Sequence, residues 1–326
     1  MSARIRGCVV TAHTRRAWER VLVFPREPVF VTESAVGLLP PETVILERDE
    51  LAEDFTAAPL ELRDSYWTYA VGQDARRVAL LAPAEWRSLP SEERAELRGL
   101  QWRLGRGQLY DWSFAHDILR NETGVLRRLD AEVFEADGRP MLDLTWDIWW
   151  AMSRRARAAW LARYVGTIAS DGEPACLSST LADPFWAALP ARGCGPAVRV
   201  LAGTFAGRSG PNCFAAVLAG VTNALAAGLS AAQLWLHGDP FLRNLRARGF
   251  ERQAGPVEAA EAGDVLIWED GGRDMVHAAL CLGDGLAFQK QGQGWALPWQ
   301  VVPLAALLRD WAPGAAPTVW ARRRPT

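Results

Sequence analysis

The residue types best suited to chemistry lie in the C-terminal half of the chain: Cys213, His277 and two glutamines, Gln289 and Gln291. Cys213 follows Gly210-Pro211-Asn212, a turn signal and a good N-cap, so it falls at or near the first position of an apolar helix. Free backbone N–H groups and the positive end of the helix dipole favour a thiolate there. Such placement lowers a thiol pKa from about 8.5 toward neutrality or below. A nucleophilic thiol needs a base held rigidly within reach, and His277 on a strand is the candidate. A third polar group must fix the imidazole tautomer; Gln289, ahead of Gln291, is the expected one.

The elements that must position these groups follow from periodicity and punctuation. Val217, Leu218, Val221 and Leu225 mark one face of the Cys213 helix, with Gly228 as its stop. Ser230 has the spacing to open a second helix, and Asp239-Pro240 a third that Gly249 closes. The pattern then switches to strands at residues 263–268, 275–282 and 286–291. If Asp284-Gly285 alone formed the turn, His277 would face Gly292 and share its side with Phe288 and Lys290. If Gly283-Asp284-Gly285 forms a three-residue turn with Gly285 left-handed, His277 faces Gln291, and Gln289 joins its face. The second register is the chemically coherent one.

This order of elements resembles the NlpC-type papain-like cysteine peptidases over roughly residues 198–291. The matching features are the Cys-bearing helix, the Gly263-Asp264-Val265-Leu266-Ile267-Trp268 strand, the His277 strand ending in Leu282-Gly283-Asp284-Gly285, and the polar strand after it. The resemblance implies Cys213 as nucleophile, His277 as base and Gln289 as orienting residue. It implies an acyl-enzyme mechanism in which His277 takes the thiol proton and later protonates the leaving amine. The family usually carries Asp-Cys-Ser where this chain has Asn212-Cys213-Phe214. Asn and Phe cannot pair with the stem-peptide amine that the cell-wall members hold. Phe205 stands near the place of an expected upstream tyrosine and has no hydroxyl. One oxyanion donor would be the Cys213 backbone N–H.

Competing readings stand beside these. A cysteine at a helix start also serves as a small core hydrophobe. Cys281, between Leu280 and Leu282, reads as core, and His237 as a helix-end residue. Gln291-Gly292-Gln293-Gly294-Trp295 and Trp299 read either as a substrate lid or as a packed loop. Asn212, Phe214, Trp295 and Trp299 are the candidate substrate contacts.

The remainder of the chain bounds the answer. A net charge of −2 over 326 residues excludes an overall nucleic-acid binder. The most apolar stretch, residues 214–229, is short and interrupted by Thr222 and Asn223, which fits a buried helix rather than a membrane span. The start of the chain lacks a signal-peptide pattern, so a cytoplasmic protein is expected, and the resemblance implies a bacterial one. Five scattered cysteines without Cys-x-x-Cys spacing suggest reduced thiols, with no metal and no cofactor. Sixteen tryptophans are compatible with aromatic grooves or with core packing. Short strands are expected near residues 21–24, 29–31, 65–71 and 78–81, a helix from Ser91 to Gly105, and one long helix over 145–165. Arg154, Arg155, Arg157 and Arg163 on that helix suggest a solvated basic face.

The expectation is therefore an α+β protein. Residues 1–170 form a Trp-rich region that is a candidate protein-partner or substrate-binding surface. Residues 171–326 form a papain-like domain with its Cys helix on an antiparallel sheet. The expected activity is thiol-dependent hydrolysis of a peptide or amide, with a cell-wall-derived or other intracellular peptide as substrate. Acyl transfer by the same residues and a non-catalytic binding scaffold are the alternatives.

Overall fold

The computed structural model describes residues 3–47, 60–63, 75–106, 109–168, 174–272, 274–311 and 316–323. It is an α+β structure whose paired strands are antiparallel. The chain divides into two compact units, residues 15–166 and residues 1–14 together with 167–326. The first fourteen residues thus belong with the C-terminal half, a grouping that no linker composition signals.

Strands β1 (Arg4–Ile5) and β2 (Cys8–Val9) make a two-stranded ribbon within the C-terminal unit. In the other unit, β3 (Glu27–Val31), β4 (Ile45–Glu47) and β5 (Arg77–Leu81) form a sheet with β5 in the middle. Residues 21–24 form no strand, and the segment 65–71 lies outside the described residues. A second sheet has β8 (Arg139–Asp143) between β6 (Leu109–Asp111) and β7 (Val133–Ala136). The helix Ser91–Arg103 is tied to β3 through Gln101. The Gln101 amide nitrogen donates to the Phe30 carbonyl and its oxygen accepts the Phe30 N–H, both at 2.8 Å. The buried Arg106 pairs with Glu27 and lies 3.7 Å from Asp143.

The long helix expected over 145–165 is two helices, Trp146–Ala151 and Arg154–Ile168. Met152 is extended, with ψ 149°. Ser153 Oγ accepts the Ala156 N–H at 3.2 Å and starts the second helix, while the Ser153 N–H donates to Glu122 at 3.1 Å. Serine's competition with the main chain breaks a continuous apolar stripe. Trp149, Met152, Ala156 and Trp160 are still buried. Arg154, Arg155 and Arg163 are exposed, as a solvated basic face requires, and Arg157 and Arg163 also pair with Glu19 and Asp117.

The C-terminal unit is built on a six-stranded sheet with order β13-β12-β11-β10-β14-β9. These are β9 (Phe250–Arg252), β10 (Val265–Glu269), β11 (Met275–Gly283), β12 (Leu286–Lys290), β13 (Trp299–Pro303) and β14 (Thr318–Arg322). Gly283, Asp284 and Gly285 all have positive φ (82°, 52° and 70°), the left-handed conformation that the β11–β12 turn requires. A bulge between Cys281 and Gly283 moves the pairing by one residue, so Leu280 faces Phe288 and Cys281 faces Ala287. That register puts Gln289 on the His277 face.

Each face of this sheet carries its own core. On one side Val265, Ile267, Ala278, Leu280, Leu282, Phe288 and Val301 pack against the helix Cys213–Gly220. On the other, Leu266, Trp268, Ala279, Cys281, Ala287 and Val302 pack with Leu307 of the helix Leu304–Asp310 and with Trp311. The Cys213 helix stops at Gly220, earlier than its apolar sequence suggests. A separate helix, Leu225–Ala231, follows, so Ser230 ends a helix instead of opening one. The helix Gly238–Ala247 then precedes Gly249, whose φ is 80°. Trp268 and Trp299 are among the largest fully buried side chains, which assigns much of the tryptophan content to packing. No described helix is long and apolar enough to cross a membrane.

Candidate functional site

Cys213 is the first residue of its helix, and Asn212 caps it. The Asn212 side-chain oxygen accepts the Ala215 N–H at 3.1 Å, and its amide nitrogen donates to the Leu236 carbonyl at 2.6 Å. An aspartate could accept the first bond but not donate the second. Asparagine at this position is therefore a structural choice, set by a carbonyl that only the tertiary fold delivers.

The backbone N–H groups of Ala278, Phe214 and Cys213 itself and the charge of Lys290 act on the Cys213 thiol. These favour a thiolate, but burial outweighs them and pushes the thiol up to about 11. The expectation of a pKa depressed by the helix terminus is corrected on that ground. Lys290 is fully buried, and its Nζ donates to the carbonyls of Gly292 and Gly294 at 2.5 and 2.8 Å. Burial brings its pKa down to about 7, opposed by nearby Cys213. The Gly210 N–H donates to the Gln293 carbonyl at 2.9 Å, and the Gln293 side chain accepts the Trp235 indole N–H at 2.9 Å. The segment after β12 is thus strapped over the start of the Cys213 helix, and Cys213 is only 4% exposed.

His277 is fully buried on the opposite face of the sheet. It pairs across the strands with Trp268, whose side chain belongs to the Leu307 side, and its ring stacks on Trp311 with centroids 4.2 Å apart and planes within 6°. His277 Nε2 and Gln289 Oε1 are 2.8 Å apart, the tautomer being set by the amide oxygen as acceptor. Nδ1 has no hydrogen-bond partner among the described residues. Burial brings the imidazole down to about 3, partly offset by the bond to Gln289.

The structure therefore brings His277 and Gln289 together and does not bring Cys213 to either. Cys213 belongs to the core on one face of the sheet, and His277 stacks on Trp311 on the other. Strand side chains alternate. Because Ala278 and Leu280 face the Cys213 helix, His277 and Ala279 face away from it. Gln291, the other candidate for the third position, follows the end of β12, and its buried Oε1 has no hydrogen-bond partner among the described residues.

The candidate substrate contacts are packing residues. Phe214 is 2% exposed and stacks on Phe241 at 4.8 Å. Trp299 faces Lys290 across the β12–β13 pair inside the helix-side core. Asn212 is the cap just described, and Trp295 is buried in the strap. Of the two readings of that segment, the packed loop describes its observed conformation.

An open cleft of about 1120 Å³ lies elsewhere on the same unit, at the end of the sheet where β10 begins and β14 finishes. Arg192, Arg322 and Arg323 line it together with Glu251, Glu261 and Asp264. Gly193 and Gly263 form part of its wall; Gly263 has φ 91°, and a Cβ there would come within 2.6 Å of the Arg192 carbonyl. The sequence offered the Gly-Asp strand start as a family mark, with no hint that it borders a cleft. Among the described residues no group of three or more His, Cys, Asp or Glu side chains is placed to hold a metal ion.

Comparison with known proteins gives no matching family model, no matching curated protein and no matching solved structure.

Proposed function

We propose that the C-terminal unit is a papain-like scaffold that lacks an assembled Cys–His dyad and acts as a binding module. The observation that carries this reading is the separation of Cys213 and His277 onto opposite faces of one sheet. A base must lie within hydrogen-bond reach of the thiol, directly or through one water. An imidazole with a pKa near 3 is also a poor acceptor for a thiol near 11. The order of elements supports the papain-like comparison: Cys helix, two further helices, β10, the His277 strand, the glycine turn and β12.

The ligand site of this module is the cleft beside Gly193 and Gly263. Its arginines and carboxylates, interspersed, suit a peptide fragment carrying both charges better than a polyanion. Iodoacetamide labelling of the native protein at neutral pH tests the absence of the dyad. Cys213 is expected to label slowly, with no change in His277→Ala. Rapid labelling of Cys213 that slows in His277→Ala would restore the thiol hydrolase. Binding is tested by thermal shift with zwitterionic dipeptides. A rise in Tm that is lost in Arg323→Glu supports the cleft, and no rise with any of them refutes it.

A further inference from the structure

The cysteines that the sequence left unassigned include a pair brought together by the fold. The tip of the N-terminal ribbon, Arg6-Gly7, rests on the segment that carries Cys176. The Cys176 N–H donates to the Arg6 carbonyl at 2.8 Å. A Cβ on Gly7, whose φ is 78°, would lie 3.2 Å from the Ala175 Cβ and 3.3 Å from the Cys176 nitrogen. The same segment runs along edge strand β13, where the Leu177 N–H donates to the Val301 carbonyl at 2.8 Å. Cys8, on the second strand of the ribbon two residues from Arg6, is thereby brought close enough to Cys176 for the two thiols to influence each other.

The two sulfurs differ in surroundings. Cys176 Sγ accepts the Val301 N–H at 3.4 Å and lies 3.3 Å from Ser178 Oγ. Cys8 Sγ lies 3.8 Å from the Arg6 carbonyl oxygen, an acceptor that favours the protonated thiol. The neighbouring Cys8 thiol, followed by Ser178 and the Val301 N–H, holds the Cys176 thiol below its ordinary range against the effect of burial. The Cys8 thiol is correspondingly raised. A donor-rich, thiolate-favouring sulfur beside a protonated second thiol is the arrangement of a nucleophilic cysteine and its resolving partner. By contrast, burial raises the thiols of Cys194, Cys213 and Cys281.

We propose that Cys8 and Cys176 form a peroxide-sensitive dithiol that closes to a reversible disulfide and pins the N-terminal ribbon to the edge of the six-stranded sheet. The Cys176 thiolate attacks one oxygen of hydrogen peroxide, the O–O bond breaks, and the departing hydroxide takes a proton to become water. This leaves a sulfenic acid on Cys176. The Cys8 sulfur then attacks the Cys176 sulfur, forming the S–S bond and breaking S–O. The displaced hydroxide leaves as a second water with the Cys8 proton. The two thiols together lose two electrons, and the peroxide gains them. Peroxide is small enough for a site whose cysteines are 4% and 7% exposed. The proposal does not depend on the binding-module reading.

The test uses the reduced full-length chain exposed to hydrogen peroxide, quenched with N-ethylmaleimide and mapped by peptide mass spectrometry. Two of the five thiols are expected to be lost, in one cross-linked peptide joining Cys8 to Cys176, and dithiothreitol should restore both. Their loss should be roughly tenfold or more faster than that of the other three. The oxidised form should melt higher than the reduced form, because the cross-link restricts the unfolded chain. In Cys8→Ser, Cys176 should accumulate as a sulfenic acid that dimedone traps. Five thiols still alkylatable, uniform loss over all five, or a cross-link between other cysteines would overturn the proposal. A dimedone adduct on Cys8 in Cys176→Ser, as fast as that on Cys176 in Cys8→Ser, would overturn the assigned roles.

Discussion

Acid should unfold this protein through His277, and the size of the effect can be worked out from its surroundings. The ring is fully buried between Trp311 and Trp268, with one hydrogen bond to Gln289, and its pKa falls from 6.5 to about 3. Below pH 6.5 the unfolded chain binds a proton at this histidine, while the folded chain stays neutral until about pH 3. The unfolded state then holds more protons, so stability falls as pH falls across that window. At about 1.36 kcal/mol per unit, the loss is roughly 2 kcal/mol between pH 7 and pH 5 and about 4–5 kcal/mol by pH 3. Urea unfolding at pH 7, 6 and 5 for the wild type and His277→Phe isolates the contribution. The phenylalanine keeps an aromatic ring against Trp311 but leaves Gln289 Oε1 unpaired, a loss of about 1–3 kcal/mol that does not vary with pH. His237, which burial brings down to about 4, titrates in both proteins and cancels. The wild type should therefore lose about 2 kcal/mol more than the variant from pH 7 to pH 5. NMR titration of the His277 ring in the wild type checks the same point without a mutation. Parallel losses in the two proteins, or a ring that titrates near its ordinary value, would refute the buried, neutral histidine.

Lys290 should act at the other end of the pH range. Its folded pKa near 7 lies below its ordinary 10.5, so the unfolded chain holds the extra proton between those values and stability rises with pH. From pH 7 to pH 9 the wild type should gain roughly 2 kcal/mol that Lys290→Met does not gain, as measured by urea midpoints. Asn212→Asp, which installs the residue usual in NlpC-type enzymes, should be destabilising by about 1–3 kcal/mol, because the Leu236 carbonyl loses its donor and a carboxylate is buried. Denaturant unfolding at pH 7 should give a lower midpoint, and an unchanged midpoint would show that the amide donor contributes nothing.

Much of the local structure was legible in the residues themselves. Asn212 ahead of an apolar run marks a helix start, and Asn212 caps the helix that begins at Cys213. The Gly283-Asp284-Gly285 sequence marks a turn, and all three residues have positive φ. The placement of Gln289 beside His277 followed from choosing a register, and the two are bonded at 2.8 Å. The register is reached through a bulge rather than a three-residue turn, a detail that local sequence does not encode. Over 145–165 the apolar stripe continues past Ser153 and predicts one helix, whereas the Glu122 that bonds Ser153 and helps break it is distant in sequence.

The sequence by itself determined the helix start at Asn212, the strands of the His277 hairpin, its glycine turn and the face that Gln289 shares with His277, because those depend on neighbours along the chain or across one hairpin. It could not say which face of the sheet would receive the Cys213 helix. On β11 both faces are apolar, Ala278, Leu280 and Leu282 on one and Ala279 and Cys281 on the other, so alternation fixes a parity without fixing its direction. Only tertiary packing chose the Ala278 side for the helix, and that choice put Cys213 with Lys290 and His277 with Trp311. Tertiary packing likewise brought Cys8 to Cys176 from opposite ends of a long intervening segment. Local sequence carries no energy term that distinguishes these outcomes, whereas burial of two separate apolar faces does.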